Sequence, residues 1–502
     1  MPRFPTVIDA ATIVTRSRAV LTDPRLLIAE LLAGLVVALA LIPEAISFSL
    51  IAGVDPRVGL YASFTMAVAI AFTGGRPAMI SAATGAMALV VVSLVADHGV
   101  EYLLAATILA GVIQVTLGQL GIARMMRFIP RAVMTGFVNA LAILIFWAQM
   151  PYLRNVPFAV YVMVAGGLLI MWALPKLTMI VPAPLVAIAV LTTLAVAFGI
   201  VVPDVGAQGA LPDALPLLGI PSVPMTFATL GIILPYAFTL AAVGLLESLL
   251  TAQLVDDITE TTSDKDREAR GQGIANVITG FFGGMAGCAM IGQTMINVKV
   301  SGARTRLSTF CAGAFLLVLV VSLGNLVAVI PMAALVAVMI LVAYSTFDWH
   351  SVAPSTLRRM PRGETSAMLV TVVATVATSN LAIGVGCGVI TAMVVFARRV
   401  AHLVELTSEL DVDGTTRTYR VTGELFFASD RELIASFDYA GDPPNVVIDM
   451  SQSHVWDTSA VAALDAITTK YAAHDIDVKI IGMNRASEHL HGVHSGKFAG
   501  VS

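Results

Sequence analysis

Apolar stretches of roughly 20 residues recur along the first 400 positions and stop near Arg399. A helix needs about that length to cross the hydrocarbon core of a bilayer. The chain is 57% hydrophobic and 12% charged, with a mean hydropathy of +0.88. A water-soluble globule carries about twice that share of charge. The reading is a polytopic, all-α membrane domain followed by a small domain of different character. Fourteen apolar segments are expected, centred near residues 38, 66, 87, 111, 141, 165, 190, 240, 278, 294, 318, 338, 375 and 390. With the N-terminus placed in the cytoplasm, twenty Lys and Arg fall on the inner side, from Arg3 to Arg399. Only Arg57 and Arg154 fall outside. That asymmetry follows the positive-inside rule and supports an even number of crossings with both termini cytoplasmic. The first 25 residues hold four Arg and no apolar core with a cleavage site, so they read as a cytoplasmic segment, not a signal peptide.

The three cysteines, Cys288, Cys311 and Cys387, all fall in membrane segments and read as small buried apolar residues. No metal-ligand spacing, phosphate loop or nucleophile triad occurs. No cofactor, metal, enzymatic activity or nucleic-acid partner is expected, and gradients rather than ATP must drive any transport. Asp256 to Arg270 reads as a solvated cytoplasmic loop.

From Thr418 the pattern changes. Arg420–Phe427, Asn445–Met450 and Val478–Gly482 read as strands. Ala460–Ala473 reads as an amphipathic helix with Val461, Leu464, Ile467 and Tyr471 on one face. Strand, helix and strand in ~100 residues make an α/β domain. The blocks V-x-G-x-L-F-F, V-V-I-D-M-S, V-W-D-T-S-A and V-K-I-I-G resemble a STAS domain. The domains expected are 1–25, 26–400 in the membrane, a linker over 401–417, and STAS over 418–502. In the resembled bacterial antagonists the last Ser of the D-[ST]-S turn is phosphorylated, which marks Ser459. The alternative role of this turn is a helix N-cap from Asp457 or Thr458.

The first segment ends in L-I-P-E-A-I-S-F-S-L-I-A-G-V-D-P-R-V-G-L-Y, over Leu41 to Tyr61. It is similar to the signature of SulP transporters, solute carrier family 26, at Pro43, Ala52, Gly53, Pro56, Gly59, Leu60 and Tyr61. Glu44 stands where many members carry Gln. The resemblance, to the bacterial branch, implies an inverted repeat of seven plus seven segments and an anion substrate between segments 3 and 10. It also implies a core of segments 1–4 and 8–11 moving against a scaffold of 5–7 and 12–14. A homodimer in the bacterial inner membrane is expected.

Two local patterns fit such a repeat. Segment 1 holds Glu44 and segment 8 holds Glu247, each a lone carboxyl in an apolar helix. A carboxyl at membrane depth is a functional candidate, and desolvation favours its neutral form. The alternative is a hydrogen-bonded acid that serves helix packing. Pro77–Ala86 and Gly283–Thr294 both read as extended chain giving way to a half-helix. Two such starts would offer N–H groups and positive dipole ends to an anion without Lys or Arg. The candidate binding residues are Glu44, Ala83, Thr84, Gly85, Glu247, Gly292, Gln293 and Thr294, with Glu247 and Glu44 coupling to protons. The alternative use of these small residues is close packing. Some animal relatives carry an Arg near the start of segment 10, and this chain has none.

The expected function is a secondary transporter for a small oxyanion or carboxylate (sulfate, bicarbonate or a C4-dicarboxylate), driven by protons through alternating access. An anion channel or exchanger is the alternative, and a uracil/xanthine-type proton symporter a further one. A membrane-anchored STAS signalling protein is excluded by fourteen segments, far more than an anchor needs.

Overall fold

The structure is a computed structural model describing residues 6–7, 23–121, 129–177, 182–401, 404–427 and 429–496. Most of the N-terminal segment therefore lies outside the described residues. Two compact units divide at Val389 and Ile390.

Helices form where the sequence is continuously apolar. They are α1 Pro24–Ala52, α2 Pro56–Thr73, α3 Gly85–His98, α4 Val100–Gln119, α5 Arg131–Trp147, α6 Phe158–Leu177 and α7 Ala183–Ala197. The second series is α8 Phe227–Thr259, α9 Lys265–Phe281, α10 Ile291–Met295, α11 Arg306–Ser322, α12 Met332–Thr346, α13 Arg362–Thr378 and α14 Leu381–Ala401. Each predicted segment centre falls inside one of these. Short helical turns at Gly324–Ala328 and Pro354–Arg359 fill two connections. Six of the described helices, α1, α4, α5, α6, α8 and α14, lie in stretches long and apolar enough to cross a membrane.

The corner between α1 and α2 explains two positions of the signature. Gly53 ends α1 at φ +78°, a left-handed conformation that only glycine adopts without strain. Gly59 donates its N–H to Ser49 Oγ at 2.9 Å, and Ser49 Oγ donates to the Ala45 carbonyl at 2.9 Å. A Cβ at Gly59 would sit 2.2 Å from Ser49 Oγ, so a side chain there would force the corner apart.

Packing divides the helices into two groups. α4 packs on α8 and α9, and α11 on α1 and α2; α13 packs on α5, and α12 on α5, α6 and α7. Contacts between the groups are α12 and α7 with α1, and α5 with α3.

The stretch Asp256–Arg270 is not a solvated loop. α8 runs to Thr259 and α9 starts at Lys265, capped by Asp264, whose carboxylate accepts from Arg267 N. Asp256 is buried and accepts from Arg76 Nη1 at 2.9 Å and Lys265 Nζ at 2.6 Å. Glu268 is fully buried; it accepts from the backbone N–H groups of Gly75 (2.7 Å) and Arg76 (2.9 Å) and from Gln272 Nε2 (2.9 Å). These charges tie the chain entering segment 3 to the α8–α9 connection. Asp256 and Glu268 are buried and bonded, while Asp257, Glu260 and Asp264 stay exposed.

In the second unit, β5 Glu405–Leu410, β6 Thr416–Leu425, β7 Asn445–Val455 and β8 Asp477–Ile481 form one sheet in the order β5-β6-β7-β8 (the four earlier strands are short pieces in the first unit). β5 runs antiparallel to β6, and the other pairs are parallel. The stretch read as a linker over 401–417 thus carries an edge strand. Helices α15 Asp430–Ala435, α16 Thr458–Ala472 and α17 Arg485–His494 accompany the sheet. Val461, Leu464, Ile467 and Tyr471 of α16 are all fully buried against Val421, Ile448 and Met450. Tyr471 donates its hydroxyl to the buried Asp442 carboxylate, which also accepts from Tyr419. Burial, and then that carboxylate, push the Tyr471 hydroxyl far above its ordinary range.

Candidate functional site

The first unit contains two short extended segments where a continuous helix would otherwise run. β2 is Ser81–Ala83 and β4 is Gly287–Ala289. They pair antiparallel, Ser81 with Ala289, Ala82 with Cys288 and Ala83 with Gly287. All six residues are buried. Non-helical backbone at this depth needs internal partners. The ladder supplies some, and side chains supply the rest. Asn276 of α9 accepts from Gly287 N at 2.8 Å and donates to its carbonyl at 3.0 Å. Ser248 Oγ accepts from Ala289 N at 3.0 Å. Gln272 Nε2 donates to Ser81 Oγ at 2.7 Å.

Each strand turns directly into a helix. Thr84 caps α3, its hydroxyl accepting from Met87 N at 3.3 Å. Met290 precedes α10, which continues as a π-helical turn to Val300. The register places the two starts at opposite ends of the ladder. Thr84 and Met290 lie four positions apart along it, or about 13 Å at ~3.3 Å per residue. The two helix starts therefore lie at opposite ends of the ladder.

The two lone carboxyls sit at these starts, crossed between the halves of the chain. Glu44, on α1 after the in-helix Pro43, lies beside the Gln293 side chain of α10. Glu247, on α8, has the Thr84 side chain of α3 within hydrogen-bonding reach. Its second partner was not legible in the sequence. Cys288 Sγ donates to Glu247 Oε2 at 2.9 Å and lies 3.2 Å from Thr84 Oγ1. Cys288 is buried, as expected, but it is not merely apolar filling.

The remaining candidates divide by exposure. Ala83, Thr84 and Gly85 are buried, and a Cβ at Gly85 would press on Phe48 of α1 and Ile145 of α5 at 3.0–3.1 Å. Gly292 is exposed, with nothing within 4 Å of a Cβ placed there, and Glu44 is half-buried. The open end of the ladder is therefore the α10 end. Gln293 is 4% exposed. Thr294 is fully buried, and its hydroxyl accepts from Ile80 N at 3.0 Å, so it holds the framework. In the second unit, Asp457 is the α16 cap and accepts from Ala460 N at 3.0 Å; Ser459 is half-buried at the second helical position. No group of metal-ligating side chains occurs among the described residues.

A membrane domain of broken helices paired through a short ladder, joined to an α/β domain, defines the class: an integral membrane transporter rather than an enzyme. The sulfate permease family matches residues 27–164 and 155–371, and the STAS domain matches 407–499. The chain belongs to the sulfate permease family and is a membrane anion transporter with a STAS domain. It is 56% identical over 461 residues to YbaR of Bacillus subtilis (strain 168), whose name assigns it provisionally to sulfate transport; the match covers 92% of this chain and 95% of that one. It is 26% identical to the bicarbonate transporter BicA of Picosynechococcus sp. (strain ATCC 27264 / PCC 7002 / PR-6), covering 87% and 86%. The transmembrane domain of a cyanobacterial BicA superposes with a TM-score of 0.63 at 25% identity, over 74% of this chain and 98% of that one. Murine Solute Carrier 26 family member A9, in its inward-facing state, shares the fold with a TM-score of 0.80 at 16% identity, over 100% and 93%.

Proposed function

We propose that the chain is a proton-coupled carrier of a small oxyanion or carboxylate in the bacterial cytoplasmic membrane, with both termini inside and fourteen crossings. The observation that carries this reading is the crossed placement of Glu44 at Gln293 and Glu247 at Thr84. Each half of the chain supplies a carboxyl to the half-helix start of the other. A helix start attracts an anion through its unpaired N–H groups and about half a positive charge. An ionised carboxyl beside it repels the same anion, and a protonated one does not. Proton and anion then bind together, which is the requirement for symport. Sulfate and bicarbonate lead the substrate classes because relatives are named for them, with C4-dicarboxylates next.

The two packing groups support alternating access. α1–α4 and α8–α11 move as a core past α5–α7 and α12–α14, and the contact of Gly85 with Phe48 and Ile145 lies on the boundary. The chain works as a homodimer in lipid. Ser459 is the position where phosphorylation would add charge at the start of α16.

Cysteine accessibility tests the site. A Gly292→Cys variant is made with Cys387 replaced by Ala; Cys288 and Cys311 stay, since both are buried. The new thiol should react with a hydrophilic maleimide, and sulfate or bicarbonate should slow that reaction. A cysteine at position 84 should react far more slowly, because Thr84 is 2% exposed. A Gly292 thiol that no transported anion protects places the anion elsewhere.

A further inference from the structure

Residues 198–226 connect α7 to α8 with no regular element beyond one turn of 3-10 helix at Gly206–Gln208. A connection longer than ~12–15 residues without structure of its own is uncommon in a compact domain and usually functional. We propose that this one is a strap between the two packing groups, hinged at Gly209, and that Gly209 turns when the carrier changes its access state. This rests on the alternating-access reading above.

Backbone bonds divide the strap in two. The first half is fixed to the start of α12. Val205 N donates to the Ile330 carbonyl at 3.0 Å, and Met332 N to the Pro203 carbonyl at 2.8 Å. Asp204 pairs antiparallel with Pro331, and Val205 is fully buried. The turn that follows closes onto the same half. Ala207 N donates to Asp204 Oδ1 at 2.9 Å, and Gln208 N to the Val205 carbonyl at 3.0 Å. The second half is fixed to α2, α9 and α4. Arg57 N donates to the Ala210 carbonyl at 3.1 Å, and Tyr61 Oη to the Ala214 carbonyl at 3.1 Å. Gly219 N donates to the Phe281 carbonyl at 2.8 Å, and Ser222 N to Glu101 Oε2 at 2.6 Å. α12 belongs to one packing group, and α2, α4 and α9 to the other.

Gly209 stands at the division. No hydrogen bond joins it to a described residue. A displacement of one group past the other must break the anchoring bonds or turn the chain between them, and a turn at Gly209 breaks none. Its backbone, at φ +151° and ψ −178°, lies in a region that essentially only glycine occupies. Any other residue at 209 is therefore disfavoured in this state by the equivalent of about 5- to 150-fold in an equilibrium. Once the hinge turns to a negative φ the penalty is gone, so a substitution drives the carrier toward its other state. A Cβ at 209 would also stand 2.4 Å from Asp55 Oδ1. That contact is separable from the backbone effect by removing the Asp55 side chain.

The test reads sidedness. The Gly292→Cys protein with Cys387→Ala is labelled with a membrane-impermeant maleimide in vesicles of the two orientations. The ratio of labelling from the two faces reports the balance of access states. Gly209→Ala combined with Asp55→Ala should change this ratio by at least about five-fold, the lower end of the backbone penalty. Asp55→Ala alone should leave it unchanged. A lowered melting temperature with an unchanged ratio means that Gly209 keeps one conformation in both states; this overturns the hinge and leaves alternating access standing. Labelling of the parent protein from one face alone, with and without sulfate, bicarbonate or succinate, overturns both. Should the Gly209 variant fail to assemble, Asp204→Cys with Pro331→Cys, also with Cys387→Ala, tests the first anchor. Facing residues of an antiparallel bridge lie about 4.5–5.5 Å apart at Cα, within disulfide range. The oxidised protein should take up radiolabelled anion at the rate of the reduced one, since strap and α12 move together. Uptake that stops on oxidation and returns on reduction places the motion at the anchor and overturns the hinge.

Discussion

Glu247→Gln abolishes the stimulation of uptake by a proton gradient and leaves the folded protein intact. Glu247 lies in an apolar helix, where it accepts from Cys288 Sγ and has the Thr84 side chain beside it. The amide matches the neutral acid in shape and can meet the same two partners. It cannot gain or lose a proton, so the state permitting anion binding becomes permanent. Uptake down an anion gradient should therefore persist, while the difference between proteoliposomes with and without a pH gradient should vanish. Glu247→Ala should be worse in another way, leaving the thiol and hydroxyl only each other and one of their two hydrogens without an acceptor, at about 1–3 kcal/mol. Gradient-stimulated uptake in the Gln variant at the wild-type level removes Glu247 from the coupling step.

The second large effect is on stability. Asp256→Ala removes the carboxylate that faces Arg76 at 2.9 Å and Lys265 at 2.6 Å. Arg76 and Asp256 are both nearly fully buried, their side chains 4% and 7% exposed. Losing one member of a buried pair strands the other and typically destabilises by ~3–5 kcal/mol. Replacing both by apolar residues of similar volume is often neutral. Melting in detergent should therefore drop markedly for Asp256→Ala and recover for the combination Arg76→Met with Asp256→Leu. A single variant that melts with wild type would show that the surrounding hydroxyls of Thr259, Thr261 and Ser263 suffice.

These two sites differ in how far the sequence announces them. Glu44 and Glu247 stand out because a lone carboxyl in an apolar run is costly unless it is functional or hydrogen-bonded for packing. The half-helices are legible because Pro and Gly cluster where a span should be uniform. Cys288 is not, because a cysteine among Gly, Ala and Met has the same local pattern whether it packs or donates to an acid. Only the β2–β4 register brings it to Glu247. The Arg76–Asp256 pair spans 180 positions, and a charged stretch between two helices looks solvated until its partner is placed. Thr294 looks like an anion donor, yet its hydroxyl is taken by Ile80 N from the other half. Local pattern shows where each half-helix starts, while the ladder that separates the two starts comes only from pairing. In the second unit, Glu405–Leu410 (ELTSEL) escapes because an exposed edge strand carries little apolar alternation. The core strands and α16 do not, because their buried faces repeat at the expected period.

The most direct measurement is anion uptake into proteoliposomes of the purified full chain, using radiolabelled sulfate, bicarbonate and succinate, with and without an inward proton gradient. A proton-coupled carrier takes up at least one of these saturably, accumulates it above its external concentration while the gradient lasts, and releases it when a protonophore collapses the gradient. Uptake that never exceeds equilibrium, rises linearly with anion concentration and ignores the gradient contradicts the account and assigns the pore of a channel instead.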